Sequence, residues 1–200
     1  MLICLIGRHG TGKSTLGEAL AKRGFSHINV GELKRRCRRN DFPEGYPLQL
    51  LGMLSVQKPG TLLSKTSAKA LMAFVQTAHN CVMDGFPPSK DYLDLLPPDT
   101  LFLYCMTPKH LREKRLNERF EKTLRRWTPG KHSARDAALA ALVRAVRHRY
   151  PFCIVVNDER PIDDALKRIA LPAIRASDRP MAQSAHHQDV LPQTARRLRP

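Results

Sequence analysis

The chain has no apolar run near the roughly 20 residues a membrane-spanning helix needs. It has no C-x-x-C pair, and only 18 acidic side chains stand against 34 Lys and Arg. Each shortage excludes something. Without a long apolar run, no membrane span is expected. The apolar opening Met1–Ile6 has no basic leader and runs directly into a glycine-rich stretch, so no secretory signal is expected either. The five cysteines are Cys4, Cys37, Cys81, Cys105 and Cys153, and all but Cys37 lie inside short apolar runs. There a free thiol behaves as a small hydrophobe. This pattern argues against a disulfide or zinc framework and points to a reducing cytosol. The scarcity of acids leaves a formal net charge of +16, which calls for polyanionic partners: nucleotides, nucleic acid or anionic surfaces.

The basic residues are clustered. Lys34, Arg35, Arg36, Arg38 and Arg39 surround Cys37, and residues 109–149 hold 13 Lys or Arg against four acids. Two readings stay open here, a solvated basic surface or a phosphate-facing rim with some affinity for RNA. With 42% hydrophobic residues in 200, the chain can bury one core. A monomer is expected.

Five short apolar runs punctuate the chain: Leu2–Ile6, His27–Val30, Cys81–Asp84, Leu101–Cys105 and Phe152–Val156. Gly, Pro, Asp or Asn bounds them, as expected of strands. Helical spacing is read at Lys13–Arg23, Ser67–His79, Lys109–Arg126, Arg135–Arg149 and Pro161–Arg175. Strands alternating with helices predict an α/β fold, a three-layer αβα arrangement around a five-stranded parallel sheet. Residues 1–175 are expected to form the domain, with an acceptor-binding insert at about 31–66 and a short lid at about 120–134. Residues 176–200 lack apolar periodicity and are expected to be a disordered basic tail.

Gly7-Arg8-His9-Gly10-Thr11-Gly12-Lys13-Ser14 fits G-x-x-x-x-G-K-[ST] between a predicted strand and a predicted helix. Such a P-loop wraps backbone N–H groups around phosphate at a helix N-terminus. Gly7, Gly10, Thr11, Gly12, Lys13, Ser14 and Thr15 are therefore expected to bind ATP. Lys13 is the cation on the β- and γ-phosphates, and Ser14 offers its hydroxyl to Mg²⁺. The α/β fold is then expected to be a P-loop NTPase fold of nucleotide-kinase type.

Three further pieces resemble the adenylate kinase family of nucleoside monophosphate kinases: Gly31-Glu32-Leu33-Lys34-Arg35, Asp84-Gly85-Phe86-Pro87, and the pair Arg115 and Arg119. The resemblance spans about residues 1–175. It implies that Gly31, Arg35 and Gly85 hold the acceptor, with Arg35 on its phosphate. It implies that Asp84 holds Mg²⁺ with Ser14, and that Arg119 acts with Lys13 and Asp84 on the transferring phosphoryl group. Arg125 and Arg126 are candidate lid cations, and Arg135 and Arg144 are similar to later arginines of the family. The stretch Asn29–Leu33 also resembles the atypical nuclear adenylate kinases tied to ribosome maturation.

Two positions depart from the family. Pro88 stands where it has an arginine, and Tyr92 where a glutamine reads adenine. Poor use of AMP is expected, with Tyr92 offering a ring for stacking. The expected activity is transfer of the γ-phosphoryl of ATP–Mg²⁺ to a nucleoside monophosphate or similar small phosphate acceptor. The rivals are an ATPase or switch on a ribonucleoprotein and a nucleotide-binding pseudokinase. Intact Lys13, Ser14 and Asp84 argue against the pseudokinase.

Overall fold

A computed structural model describes residues 1–123, 133–167 and 169. The elements run β1 (Leu2–Ile6), α1 (Lys13–Ala21), β2 (Ser26–Asn29), α2 (Val30–Arg38), α3 (Leu48–Ser55), α4 (Lys65–Gln76), β3 (Cys81–Asp84), β4 (Leu101–Met106), α5 (Lys109–Thr123), α6 (Ser133–Arg149), β5 (Phe152–Val156) and α7 (Ile162–Lys167). A 3-10 helix, Lys90–Leu95, sits between β3 and β4. The five strands form one sheet in the order β2-β3-β1-β4-β5, and every neighbouring pair is parallel.

A parallel strand is buried on both faces, and β1 is buried along its whole length. Its side chains alternate between two cores. Leu2, Cys4 and Ile6 join Met83, Phe102, Leu71, Val75 and Val146 on one face. Ile3 and Leu5 join Leu16, Leu20, Val82, Leu103 and Leu166 on the other. This makes three layers. Helix α4 shows how a sequence pattern becomes packing: Ala68, Leu71, Met72 and Val75 are buried at helical spacing. The Ser64 side chain caps the helix by accepting from the Ser67 N–H.

The chain crosses to β2 and returns through β3 beside β1 before β4 takes the other side. Such a reversal of strand order opens a crevice at the carboxyl ends of the strands. Register fixes what lines it: Leu5 pairs with Asp84, and Asp84 with Asn29.

Three expectations need correcting. Val30 leaves the second strand and begins α2, because the Asn29 side chain accepts from the Glu32 N–H and starts a helix there. Helices α2 and α3 lie in a region read only as an insert. Helix α1 ends at Ala21 rather than Arg23. Arg125, Arg126, the side chain of Arg135, the lid between α5 and α6, and the tail 176–200 lie outside the described residues. Among those described, no helix is long and apolar enough to cross a membrane.

Candidate phosphate-binding site

The loop after β1 turns back on itself at the head of α1. Gly12, the residue before the helix, has φ 81°, in the left-handed region that glycine tolerates. Gly10 has φ 79°, and a Cβ there would lie 2.8 Å from Leu116 Cγ and 3.0 Å from the Arg112 carbonyl oxygen. The loop therefore lies directly against α5. Helical spacing from Arg112 puts Arg115 and Arg119 towards the same side.

The predicted binding residues gather at this loop. The Lys13 ammonium donates to the carbonyls of Gly7 (2.9 Å) and Arg8 (2.7 Å). Thr11 is buried, and its hydroxyl donates to the Arg8 carbonyl at 2.8 Å. Ser14, in the first turn of α1, donates to the Asp84 carboxylate at 2.6 Å. Thr15 beside it is exposed. Arg119 is half-buried on α5, and Arg144 is exposed on α6.

Asn29 joins this group unannounced. Its amide donates to Ser14 Oγ at 3.1 Å and to Asp84 at 3.3 Å, while its carbonyl oxygen caps α2. A polar residue at the carboxyl end of a strand, three positions before an acid, was the available signal. Asn157, Thr107 and Arg115 also meet the loop. The Asn157 amide donates to the Thr11 carbonyl at 3.0 Å, and the Thr107 hydroxyl reaches Asn157 O (2.8 Å) and Thr11 O (3.3 Å). Arg115 reaches Asp158 O (2.8 Å), Asn157 O and Asn157 Oδ1 (both 3.4 Å). Below the loop, burial pushes the Cys105 thiol up to about 12, so it stays neutral.

The donor set fits a nucleotide with Mg²⁺. Glycine positions hold the loop where side chains have no room. Ser14 and Asp84 bring two hard oxygen donors together, with Asn29 as support. Mg²⁺ takes one or two protein oxygens beside phosphate and keeps its remaining waters. Among the described residues, no group of three or more His, Cys, Asp or Glu is arranged to hold a metal.

Among the residues expected to hold the acceptor, Gly31 and Gly85 face each other: a Cβ on Gly85 would sit 3.8 Å from the Gly31 nitrogen. Arg35 is beside them, and its guanidinium is engaged by Glu32 through both Nε (3.0 Å) and a second nitrogen. The basic cluster around it is not one solvated rim. Lys34 is 9% exposed and donates to the Thr61 carbonyl at 2.9 Å. Arg36 binds both oxygens of Asp41, at 2.7 and 2.9 Å, and Arg39 approaches Glu32 at 3.7 Å. Tyr92 is not a stacking platform for a base. It is 7% exposed, its ring packs edge-on to Phe86, and its hydroxyl donates to the Leu63 carbonyl at 2.5 Å. Burial against the 61–63 segment decided its role, which no local pattern reveals.

No family model matches the chain, and no curated protein sequence matches it. Solved structures do. A candidate kinase from Chloroflexus aurantiacus superposes with a TM-score of 0.51 at 16% identity, covering 83% of this chain and 94% of that one. A sugar kinase from a Janibacter species gives a TM-score of 0.49 at 18% identity (84% and 90% covered). A gluconokinase from Sinorhizobium meliloti gives 0.46 at 16% (82% and 86%). At such identities the likeness speaks for the fold alone. This chain has the fold of the P-loop kinases, a five-stranded parallel sheet with helices on both faces.

Proposed function

We propose that this protein is a phosphotransferase that moves the γ-phosphoryl of ATP–Mg²⁺ to a small acceptor. The observation that carries this is the 2.6 Å hydrogen bond between Ser14 and Asp84 at the end of an intact glycine loop. It joins the loop to the carboxyl end of the neighbouring strand, where the crevice opens.

On this reading Gly7, Gly10, Thr11, Gly12, Lys13, Ser14 and Thr15 hold the donor phosphates, and Ser14 and Asp84 hold Mg²⁺. The metal supplies charge neutralisation on the phosphates when bound. Lys13 adds an ammonium at the mouth of the loop, and Arg119 a guanidinium from the α5 side. No covalent intermediate with the protein is needed, since positioning and fixed charge suffice for this chemistry.

Gly31, Arg35 and Gly85 are the acceptor side. Arg35 supports a nucleoside monophosphate or similar small phosphate, because a guanidinium forks onto phosphate oxygens. A second reading, a hydroxyl acceptor such as a sugar, draws on Glu32. Its carboxylate beside Gly31 can take the proton that a hydroxyl must lose, a step a phosphate acceptor does not need.

The test is a transfer screen with ATP–Mg²⁺ against nucleoside monophosphates, sugars and sugar acids, and water alone. Transfer to one acceptor class well above water is expected. ATP turnover only with water, at every acceptor concentration, rejects the kinase reading. Asp84→Asn should lower Mg²⁺-dependent turnover far more than metal-free nucleotide binding. Equal losses would assign Asp84 to the turn at Gly85 instead.

A further inference from the structure

The Thr11–Gly12 peptide lies in the middle of the glycine loop, before a glycine at φ 81°. A peptide preceding glycine can rotate as a rigid plane, because glycine accepts φ of either sign. Its two orientations present opposite groups to the same side. With the carbonyl of Thr11 turned one way, the N–H of Gly12 points the other way, since the two are trans across the planar bond.

The structure contains a device that selects one orientation. The Asn157 amide donates to Thr11 O at 3.0 Å, and the Thr107 hydroxyl stands 3.3 Å from the same oxygen. Both lie at the carboxyl ends of strands on the far side of β1 from the acceptor. The fit is close: a Cβ on Gly12 would fall 1.9 Å from Asn157 Nδ2. The Asn157 side chain thus occupies the space beside Gly12 and holds the neighbouring carbonyl outward.

Asn157 is itself oriented. Its backbone N–H donates to Met106 O at 2.8 Å, and its backbone O accepts from Thr107 at 2.8 Å. Its Oδ1 accepts from Arg115 at 3.4 Å. That last contact fixes which end of the carboxamide faces the loop, because an arginine only donates. With Oδ1 turned to Arg115, the amino group is left for Thr11 O.

Building on the phosphotransferase reading, we propose that Asn157 is a positioning residue for the donor phosphates, oriented by Arg115. It holds the Thr11–Gly12 peptide with the Gly12 N–H turned away from the strand end and available to an anion. Asn157 acts through the loop, so its effect belongs to the phosphates of the donor and to neither the base nor the acceptor.

The experiment measures affinity for ATP–Mg²⁺ and for inorganic tripolyphosphate, which has phosphates and no base. It uses the full chain as wild type, Asn157→Leu, Arg115→Met and the double variant, with Tm recorded for each. Leucine keeps the volume beside Gly12 and removes the donor. Asn157→Leu should lose about tenfold in affinity for both probes, the scale of one directed hydrogen bond, while Tm moves little. Arg115→Met should lose less, about threefold. The double variant should lose less than the product of the two single losses, because residues acting in series do not fully add.

An Asn157→Leu protein within twofold of wild type on both probes overturns the proposal. So does a loss seen with ATP but not with tripolyphosphate, and full additivity in the double variant removes the orienting role of Arg115. If Asn157→Leu does not fold, Asn157→Ala carries the same comparison. A wild-type chain that binds neither probe sinks the phosphotransferase reading itself. Normal wild-type binding with insensitive variants sinks only the role of Asn157.

Discussion

Arg115 and Arg35, on opposite sides of the crevice, are held differently. Among the described residues, Arg115 on α5 bonds only to neutral carbonyl oxygens, those of Asn157 and Asp158. Around α2, Arg35 and Arg39 turn to Glu32 and Arg36 to Asp41. A carbonyl dipole positions a cation and leaves its charge intact. A carboxylate positions it and cancels the charge as seen from a distance. Arg115 therefore keeps a field towards the loop that Arg35 in part loses to Glu32. The cancellation at Arg35 is partial, because Arg35 and Glu32 are 34% and 37% exposed and solvent screens them.

The largest expected effect comes from removing the cation at the loop itself. Lys13→Ala should lower the transfer rate by about 10²–10³-fold, the scale of losing one group aimed at transition-state charge, with little change in Tm. Near-normal turnover in that variant would remove the phosphate loop from the mechanism.

Glu32→Gln turns the contrast into a measurement. With a phosphate acceptor, uncovering Arg35 should lower the acceptor KM by about two- to fivefold, the worth of a partly exposed pair, and leave the KM for ATP unchanged. With a hydroxyl acceptor and Glu32 as proton acceptor, kcat should instead fall by about 10²–10⁴-fold. Steady-state kinetics with the acceptor found in the screen separates the two.

A smaller effect is expected at Tyr92. Tyr92→Phe loses one buried hydrogen bond to Leu63, about 0.5–1.5 kcal/mol, or a few degrees in Tm. Acceptor kinetics should not move. A marked change in acceptor KM would put Tyr92 back in the site, against its burial.

The smallest perturbation is chemical. Burial raises the Cys4 and Cys37 thiols and pushes Cys81 and Cys105 up to about 12. These four cysteines are buried, whereas Cys153 is half-buried. Alkylation of the native protein near pH 7, read by mass spectrometry, should mark Cys153 first. Early labelling at Cys105, which lies under the loop, would mean that the donor side opens more readily than the packing implies.

How legible each part was depends on the range of the interaction that decides it. The five strands were readable to within a residue or two, because short apolar runs bounded by turn residues are local signals. The nearness of Ser14 and Asp84 was readable, and the parallel register of β1 and β3 does bring them together. Helix α2 was missed although Val30, Leu33 and Cys37 are buried at helical spacing, because arginines and a lysine mask the pattern. Lys34 and Tyr92 were read as surface or site residues. Their burial depends on the Thr61 and Leu63 carbonyls, about 27–29 residues away in sequence. The contact of Asn157 with the loop could not be seen locally at all.

That distance has a temporal side. Synthesis delivers the glycine loop well before the neighbours of β1, which are complete only when Cys81–Asp84 and Leu101–Met106 exist. The loop's last strut, Asn157, is 146 residues downstream of the carbonyl it holds. Pairings of such sequence separation are slow to form, because chain entropy is spent before they are made. A nascent chain halted before residue 157 would therefore carry the motif without its full support.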